Sequence, residues 1–236
     1  MPDKTDHDLG GMVGGSNGNH AFPGPLKQGV YEAIYRRRDI RRFLPDPIPE
    51  EILLRILNAG HQAGSVGLMQ PWNFVVIQDR SIKAKIKSVF LECNRAAAEV
   101  YAGEQRAMYD GLKLEGIVEA PINLCVTCDP IRKGPAVLGR RTMPETALYS
   151  TVCAIQNLWL AARAEGIGMG WVSILDPKEV KAALSIPDPI VLVAYLCLGY
   201  VESFPEIPVL EKIGWEKRFP LEKVLYWNYW GGSQGE

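Results

Sequence analysis

Histidine is scarce in this chain, and its scarcity excludes several kinds of active site. Only three histidines occur among 236 residues, and two of them, His7 and His20, lie within the first twenty positions. His61 alone provides neither a metal-binding cluster nor a base paired with a nucleophile, so no metal is expected. The Gly-x-Ser-x-Gly turn of hydrolases and the Gly-x4-Gly-Lys-Ser/Thr phosphate loop are also absent. Demanding chemistry would therefore come from an organic cofactor.

Strong net charge and long apolar runs are also missing. The formal net charge is −1, so no global positive field attracts nucleic acid or a membrane surface, and neither partner is expected. The longest apolar stretch, 190–200, is too short to cross a bilayer and is interpreted as a buried strand. Five scattered cysteines and no visible secretory signal suit a reducing compartment, which predicts a cytoplasmic protein.

The order of patterned segments predicts an α+β fold. Residues 1–25 are rich in Gly, Asp and Asn, which predicts a flexible tail before one domain, 26–236. Apolar periodicity predicts helices near 30–35, 50–60, 81–113 with an interruption at Gly103, 145–165 and 177–184. Strands are predicted at 72–78, 122–127, 169–173 and 190–200. Helices outnumber strands without strict alternation. The region of about 200–236 has little pattern and is predicted to be an arm that lies on another surface.

A basic run at 36–42 holds five arginines around Asp39. On a continuing helix Arg37 and Arg41 are four apart and share a face, so their two guanidinium forks suit a phosphate dianion. The surrounding positive charges should favour the ionised form of Asp39. The alternative is a solvated helix end whose arginines complement the helix dipole.

Two further segments have the composition of a ligand site. The loop at 65–74 combines Ser, Gly, Gln and Asn and can place several hydrogen-bonding groups around a planar ligand, although it also suits a simple turn before a strand. The segment 166–173 contains three glycines but follows a helix and enters a strand, the reverse of a dinucleotide-binding motif. Its glycines are expected to allow close approach of a flat ligand or a neighbouring backbone.

Together these segments resemble the nitroreductase family. That family carries an Arg-rich run that binds the FMN phosphate and ribityl chain, a loop ending Gln-Pro-Trp-x-Phe, and a glycine segment before a late strand. The matching positions here are 37–41, 65–74 and 166–173, and the resemblance extends from about residue 28 to the C-terminus. It implies a nitroreductase-like FMN domain with a central, mostly antiparallel sheet flanked by helices. It also implies a homodimer with exchanged C-terminal arms and FMN at the subunit interface.

Longer strings resemble one subgroup of that family. They are 61–74, 112–117 and 156–166, and Asp39 stands where most family members have Ser, while Leu68 stands where many have Asn. Members of the subgroup are oxidoreductases that consume reduced FMN and O2 and form 5,6-dimethylbenzimidazole, the lower ligand of cobalamin. The resemblance therefore implies FMN as a substrate, O2 as a co-substrate and a separate flavin reductase as the supplier of reduced FMN.

The resemblance also implies roles for single residues. The implied flavin-binding residues are Arg37, Arg38, Asp39, Ile40, Arg41, Ser65, Gly67, Met69, Gln70, Asn73, Leu114, Trp171, Val172, Ser173 and Arg218. Arg37 and Arg41 would anchor the phosphate, with Arg218 as a third cation. The implied catalytic residues are Asp39, as a proton acceptor at the ribityl chain, and Ser173, near the reactive edge of the ring. Leu114 and the segment 101–115 would cover the ring.

Alternatives stay open at the level of the sequence. The chain also fits an NAD(P)H-dependent nitroreductase or flavin reductase that retains its FMN, and a non-catalytic protein that binds a flavin or a cobalamin precursor. Asp39 favours the flavin-consuming function over both. In the structural alternative, Asp39 only orders the neighbouring arginines and Ser173 is a strand hydroxyl satisfied by a neighbour.

Overall fold

The computed structural model describes residues 20–234. The predicted tail therefore lies, as far as residue 19, outside the described residues. The helices are α1 (Gly24–Arg36), α2 (Glu50–His61), α3 (Arg80–Ala98), α4 (Gly103–Asp110), α5 (Thr146–Ala164), α6 (Pro177–Ala183) and α7 (Val209–Lys212). The strands are β1 (Trp72–Ile77), β2 (Ile122–Cys128), β3 (Gly168–Val172) and β4 (Val191–Gly199). Within 20–234, every helix is too short or too polar to cross a membrane.

The four strands form one antiparallel sheet in the order β1-β2-β4-β3. Every residue of the central strand β2 is buried, because helices cover both faces of the sheet. The two central strands pair in register, with Cys125 opposite Tyr195, and one irregularity falls between Val126 and Thr127. The prediction of an α+β fold with an antiparallel sheet flanked by helices is confirmed.

Helix α5 covers one face of the sheet and forms the centre of the larger core. Leu158 is fully buried with Leu124 and Leu196 of the sheet and with Ile56 of α2. Gly60 of α2 permits this packing, because a Cβ atom there would overlap the side chain of Leu158. The predicted apolar central helix at 145–165 is therefore confirmed. Part of its surface stays exposed in the single chain, including Leu148, Tyr149 and Val152.

The glycine after α5 ends the helix as predicted. Gly166 has φ +74, a conformation that glycine adopts without steric cost. Its N–H donates to the carbonyl of Arg163, and the N–H of Ile167 donates to that of Ala162, which is the Schellman arrangement. The chain thereby turns directly into strand β3, which forms one edge of the sheet.

Helix α1 does not continue through the basic run, so the helical face that Arg37 and Arg41 would share on a continuing helix is not formed. Helix α1 ends at Arg36, and Arg37 already has extended dihedral angles. The N–H of Ile40 donates to the carbonyl of Met169 at 3.0 Å, and Asp39 forms a parallel bridge with Met169. The free edge of β3 thus forms backbone hydrogen bonds with the basic run. Arg37, Asp39 and Arg41 still share a face, because alternate residues of an extended segment point to the same side.

Candidate active site

A cavity of about 810 Å³ opens beside the extended basic segment. Three parts of the chain enclose it: the basic segment, the end of α4 with the turn after it, and the beginning of the C-terminal arm. The lining residues are Arg37, Arg38, Asp39, Ile40, Arg41, Arg42, Ala107, Met108, Gly111, Leu112, Lys113, Leu114, Glu202, Ser203, Pro205, Pro208, Val209, Leu210, Ile213 and Arg218. The wall therefore combines several cations with an apolar surface, as ligand pockets do.

The carboxylate of Asp39 lies in the wall of this cavity. Its Oδ1 accepts a hydrogen bond from the backbone N–H of Trp171 at 3.0 Å and another from Nη1 of Arg41 at 2.9 Å. The side chain of Asp39 is 44% exposed and lines the cavity. The neighbouring arginines favour the ionised form of Asp39, as expected, because both Arg41 and Arg37 lower its pKa. Desolvation raises the pKa of Asp39, and this effect outweighs Arg41, the N–H of Trp171 and Arg37, which lower it.

Arg41 fastens the basic segment to β3. Its Nη2 donates to the carbonyl of Trp171 at 2.7 Å, and its Nη1 donates to Asp39 and to the carbonyl of Ile40. The side chain is only 18% exposed. Because both terminal nitrogens of Arg41 already bind the protein, its guanidinium is poorly placed to grip a phosphate as well.

Arg37 and Arg218 form the more open pair of cations. The pKa of Arg37 is lowered, mainly by burial. Asp39 opposes this effect, whereas Arg218 and Arg38 lower the pKa further, so Arg218 must lie close to Arg37. An arginine stays charged under these conditions, so a bound anion would relieve the repulsion between the two guanidinium groups. Arg38 is committed to the backbone instead, since it donates to the carbonyls of Tyr35, Arg37 and Glu206.

The glycine segment makes this arrangement possible. A Cβ atom on Gly170 would overlap the carbonyl oxygen of Ile40 and the guanidinium of Arg41, and one on Gly168 would overlap Val201. The expected role of these glycines, close approach of a neighbouring backbone, is confirmed. Only glycine at these positions lets β3 and the basic segment lie in direct contact.

A buried carboxylate holds the turn that follows α4. Glu115 is buried and accepts hydrogen bonds from Lys87, from Lys113 and from the backbone N–H of Ile117. Burial alone would raise the pKa of Glu115, but these hydrogen bonds and the two lysine charges lower it overall. The adjoining residue Leu114, predicted to cover the ligand, lines the cavity.

An aromatic cluster links this covering segment to the arm. Tyr101 stacks on Tyr109 of α4 at 4.8 Å between ring centroids, and Trp215 of the arm meets Tyr101 edge-on at 5.3 Å. Trp215 stands three positions before Arg218, which lines the cavity. The segment 101–115, which is predicted to cover the ligand, is therefore packed against the part of the arm that carries Arg218.

The predicted loop residues Ser65, Gly67, Met69, Gln70 and Asn73 do not line this cavity in the described chain, 20–234. Met69 is fully buried with Cys128 and Ala147, and the amide of Asn73 is held by Thr127 and Arg132. Oγ of Ser65 accepts the N–H of Gln70 at 3.2 Å.

Two neighbouring loop residues are strained. Leu68 and Gln70 both have positive φ, at 49 and 45, which side chains rarely adopt. The carbonyl of Leu68 is held by Nζ of Lys133 at 2.6 Å, and Leu68 itself is exposed. Strain of this kind is typical of loops that contact ligands or partners.

The strand end that carries Ser173 lies next to the cavity wall rather than within it. Trp171 binds Asp39 and Arg41 only through its backbone, and Val172 is buried in the core. Ser173 follows β3 directly and is exposed. In the single described chain, Trp171 therefore supports the wall through its backbone, and Ser173 does not line the cavity.

Sequence reasoning missed several residues of the wall. Arg42, Glu202 and Ser203 line the cavity but had no assigned role, and Lys113 was included only as part of the covering segment 101–115. Glu202 and Ser203 follow the strongly apolar strand β4 by three and four positions, and polar residues just beyond a buried strand are a usable signal. No group of three or more potential metal-ligating side chains occurs in 20–234.

Residues 34–200 match the model of the Nitroreductase family. The chain belongs to the nitroreductase family. Among its relatives, a 5,6-dimethylbenzimidazole synthase of Rhodospirillum rubrum is 46% identical over 199 residues, covering 84% of this chain and 94% of that protein. A protein of the same name from Rhodobacter capsulatus is 40% identical, covering 83% and 95%. These relatives and the family make the chain an oxidoreductase.

A solved structure supports the same fold. Oxidised iodotyrosine deiodinase bound to FMN and 3-iodo-L-tyrosine superposes with a TM-score of 0.63, 24% identity and coverage of 76% of this chain and 94% of that chain. At this identity the similarity demonstrates the fold alone, which is the nitroreductase-like fold expected from the sequence.

Proposed function

We propose that this chain is a 5,6-dimethylbenzimidazole synthase that uses reduced FMN as its substrate and O2 as its co-substrate. One observation carries the proposal: the cavity wall holds a carboxylate, Asp39, beside the two open cations Arg37 and Arg218. The two relatives of that name, at 46% and 40% identity and nearly full length, support it.

The donor set of the cavity fits FMN. Arg37 and Arg218 would hold the phosphate, since guanidinium forks suit its dianion. The apolar side chains of Leu114, Leu210 and Ile213 would lie against the ring system. When bound, reduced FMN supplies both the electrons that reduce O2 and the carbon skeleton of the benzimidazole.

The chain's own contribution is to hold the ligand, exclude water and move a proton. Asp39 would accept a proton from a hydroxyl of the ribityl chain, and its raised pKa brings it closer to the working pH of a general base. Arg41 and the N–H of Trp171 fix the position of that carboxylate. Leu114 would cover the ring, and the Ser173 hydroxyl would donate a hydrogen bond near its reactive edge.

The complete site is proposed to need a homodimer. The loop at 65–73 is strained and partly exposed, yet it lies outside the cavity of its own chain. Exposed apolar side chains on α1 and α5, such as Tyr31, Ile34, Tyr149 and Val152, need a cover. A second copy, with exchanged C-terminal arms, would cover them and bring its loop to the FMN. The arm, predicted at about 200–236, lines the cavity of its own chain as far as Arg218, so the exchanged part would be the exposed apolar stretch after it. Ser65, Gly67 and Gln70 would bind FMN across the interface, and the buried Met69 and the held amide of Asn73 would position that loop.

The supply of electrons is proposed to be external. A cavity closed over the ring would exclude bulky electron donors, so a separate flavin reductase would deliver FMN already reduced. The five free cysteines, three of them buried, suit a reducing compartment and support a cytoplasmic location.

The test begins with anaerobic protein mixed with a stoichiometric amount of chemically reduced FMN. After admission of air, products are identified by mass spectrometry, and the absorbance of the flavin is followed. The proposal requires loss of the flavin absorbance and formation of 5,6-dimethylbenzimidazole. A parallel assay measures the oxidation of NAD(P)H by the protein with FMN. Return of intact oxidised FMN together with rapid oxidation of NAD(P)H would establish a flavin reductase. Intact FMN without NAD(P)H oxidation would establish a binding protein.

A further inference from the structure

Trp159 of α5 contacts the basic segment in two ways at once. Its indole N–H donates a hydrogen bond of 3.3 Å to the carbonyl of Arg38. The guanidinium carbon of Arg37 lies 4.6 Å from the centroid of its ring. The side chain is 9% exposed and belongs to the main core, so it is a rigid support for both contacts.

The geometry of this contact leaves the edge of Arg37 free for a ligand. A guanidinium that lies over an aromatic ring uses its flat face, whereas its N–H groups point outward in the plane. In the described residues 20–234, Arg37 has this ring contact and no hydrogen bond from its side chain. Its neighbours Arg38 and Arg41 are instead committed to backbone carbonyls or to Asp39.

The second contact fixes the backbone where the chain changes direction. Helix α1 ends at Arg36, and Arg37 is its extended C-terminal cap. The hydrogen bond from Trp159 to the carbonyl of Arg38 comes one residue later and anchors the start of the extended segment. A ring that holds both the backbone and the side chain removes much of the conformational freedom that an exposed arginine would have.

We infer that Trp159 is the positioning residue for the phosphate end of the ligand, acting through Arg37. This inference rests on the proposed binding of FMN, because the phosphate is the group that Arg37 would grip. Trp159 makes the guanidinium rigid before the ligand arrives, and a pre-organised cation loses less entropy on binding. The residue therefore contributes to discrimination between a phosphorylated flavin and one without phosphate.

The experiment compares the dissociation constants of oxidised FMN and riboflavin by quenching of flavin fluorescence. The full-length protein is tested as wild type, Trp159→Phe and Trp159→Leu. The wild type should prefer FMN. Trp159→Leu should lower that preference about tenfold, since the cation–π contact and the hydrogen bond are both lost. Trp159→Phe retains an aromatic face under Arg37 but loses the indole N–H and some core volume, so it should fold with lower stability and lower the preference by only about threefold.

Two controls separate positioning from simple packing. Leu158→Val disturbs the adjacent core position without touching Arg37, so it should lower thermal stability and leave the FMN preference unchanged. In an Arg37→Ala background, Trp159→Phe should change the preference no further, because the two residues act as one unit.

Equal weakening of FMN and riboflavin by Trp159→Phe and Trp159→Leu would overturn the inference, since it indicates packing alone. A wild type without preference for FMN would overturn it as well. The measurement needs neither O2 nor a reductant. Its failure is therefore distinct from failure of the synthase proposal, which is judged by the products formed in air.

Discussion

The backbone N–H of Trp171 donates a hydrogen bond of 3.0 Å to the carboxylate of Asp39, across the junction of β3 and the basic segment. Arg41 donates to the same oxygen at 2.9 Å and also binds the carbonyl of Trp171. The carboxylate is therefore part of the junction that holds the site together, and it also faces the cavity. These two roles can be separated by a substitution that keeps the two hydrogen bonds to Oδ1.

Asp39→Asn should retain flavin binding and lose product formation. The amide oxygen of Asn can still accept from Trp171 and from Nη1 of Arg41, but the contact of Oδ2 with Nη2 of Arg41 is lost, and the amide cannot take up a proton. We expect the FMN dissociation constant to stay within about threefold of wild type and dimethylbenzimidazole formation to fall by about two to four powers of ten. Asp46→Asn, in the exposed turn after the basic segment, is the matched control and should retain full activity. Product formation at the wild-type rate in Asp39→Asn would exclude a proton-transfer role.

The raised pKa of Asp39 gives a pH dependence with a defined sign. Between the ordinary carboxyl pKa and the raised one, the folded protein binds more protons at this residue than the unfolded chain does. Ionisation of Asp39 therefore lowers stability as the pH rises through this window, above which the loss is complete. Asp39→Asn should be more stable than wild type at neutral pH, and the difference should shrink on acidification, as measured by urea denaturation. A difference that grows on acidification would contradict the raised pKa.

The glycine at the junction should tolerate no side chain. In Gly170→Ala, the Cβ atom would overlap the carbonyl of Ile40 and the guanidinium of Arg41, so the basic segment must move away from β3. We expect a loss of about 1–3 kcal/mol in the free energy of unfolding, together with much weaker FMN binding. Gly64→Ala is the control, because a Cβ there meets no atom within 4 Å. Wild-type binding by Gly170→Ala would show that the junction is dispensable.

The buried carboxylate of Glu115, in the turn after α4, should contribute strongly to stability. Glu115→Gln removes the negative charge that Lys87 and Lys113 share, and we expect a loss of about 1–3 kcal/mol in the free energy of unfolding. Glu119→Gln is the matched control: Glu119 also pairs with Lys113, but it is exposed, so its loss should cost about 0.5 kcal/mol or less. Chemical denaturation measures both. Equal effects in the two variants would refute a special role for the buried site.

The regular elements could be predicted from the sequence because their signals are local. Helix α5 and strand β4 have long apolar patterns, and their predicted bounds agree with the structure to within a few residues. The turn at Gly166 was predictable for the same reason, since one residue type is needed for its positive φ. The family resemblance likewise located the basic segment in the cavity wall.

The details of the site depend on partners that are distant in sequence. Arg37 and Arg41 have the spacing of a shared helical face, but the edge of β3, about 130 positions later, pairs with the backbone of this segment and makes it extended. Arg41 consequently binds the backbone of Trp171, and Arg218 is the second cation beside Arg37. The sequence predicts that the nearby arginines lower the pKa of Asp39, but the desolvation that outweighs them depends on the folded surroundings and is not visible in the sequence.

The packing of Trp215 against Tyr101 and Tyr109 has a consequence for the order of events in a turnover. Arg218 follows Trp215 by three residues, so under the proposed binding of FMN a displacement of the segment 101–115 would also move Arg218 away from the phosphate. The ring end and the phosphate end of the cavity would then open together, both when the ligand enters and when its fragments leave. A partly opened site that keeps its grip on the phosphate while exposing the ring to water is disfavoured by this connection.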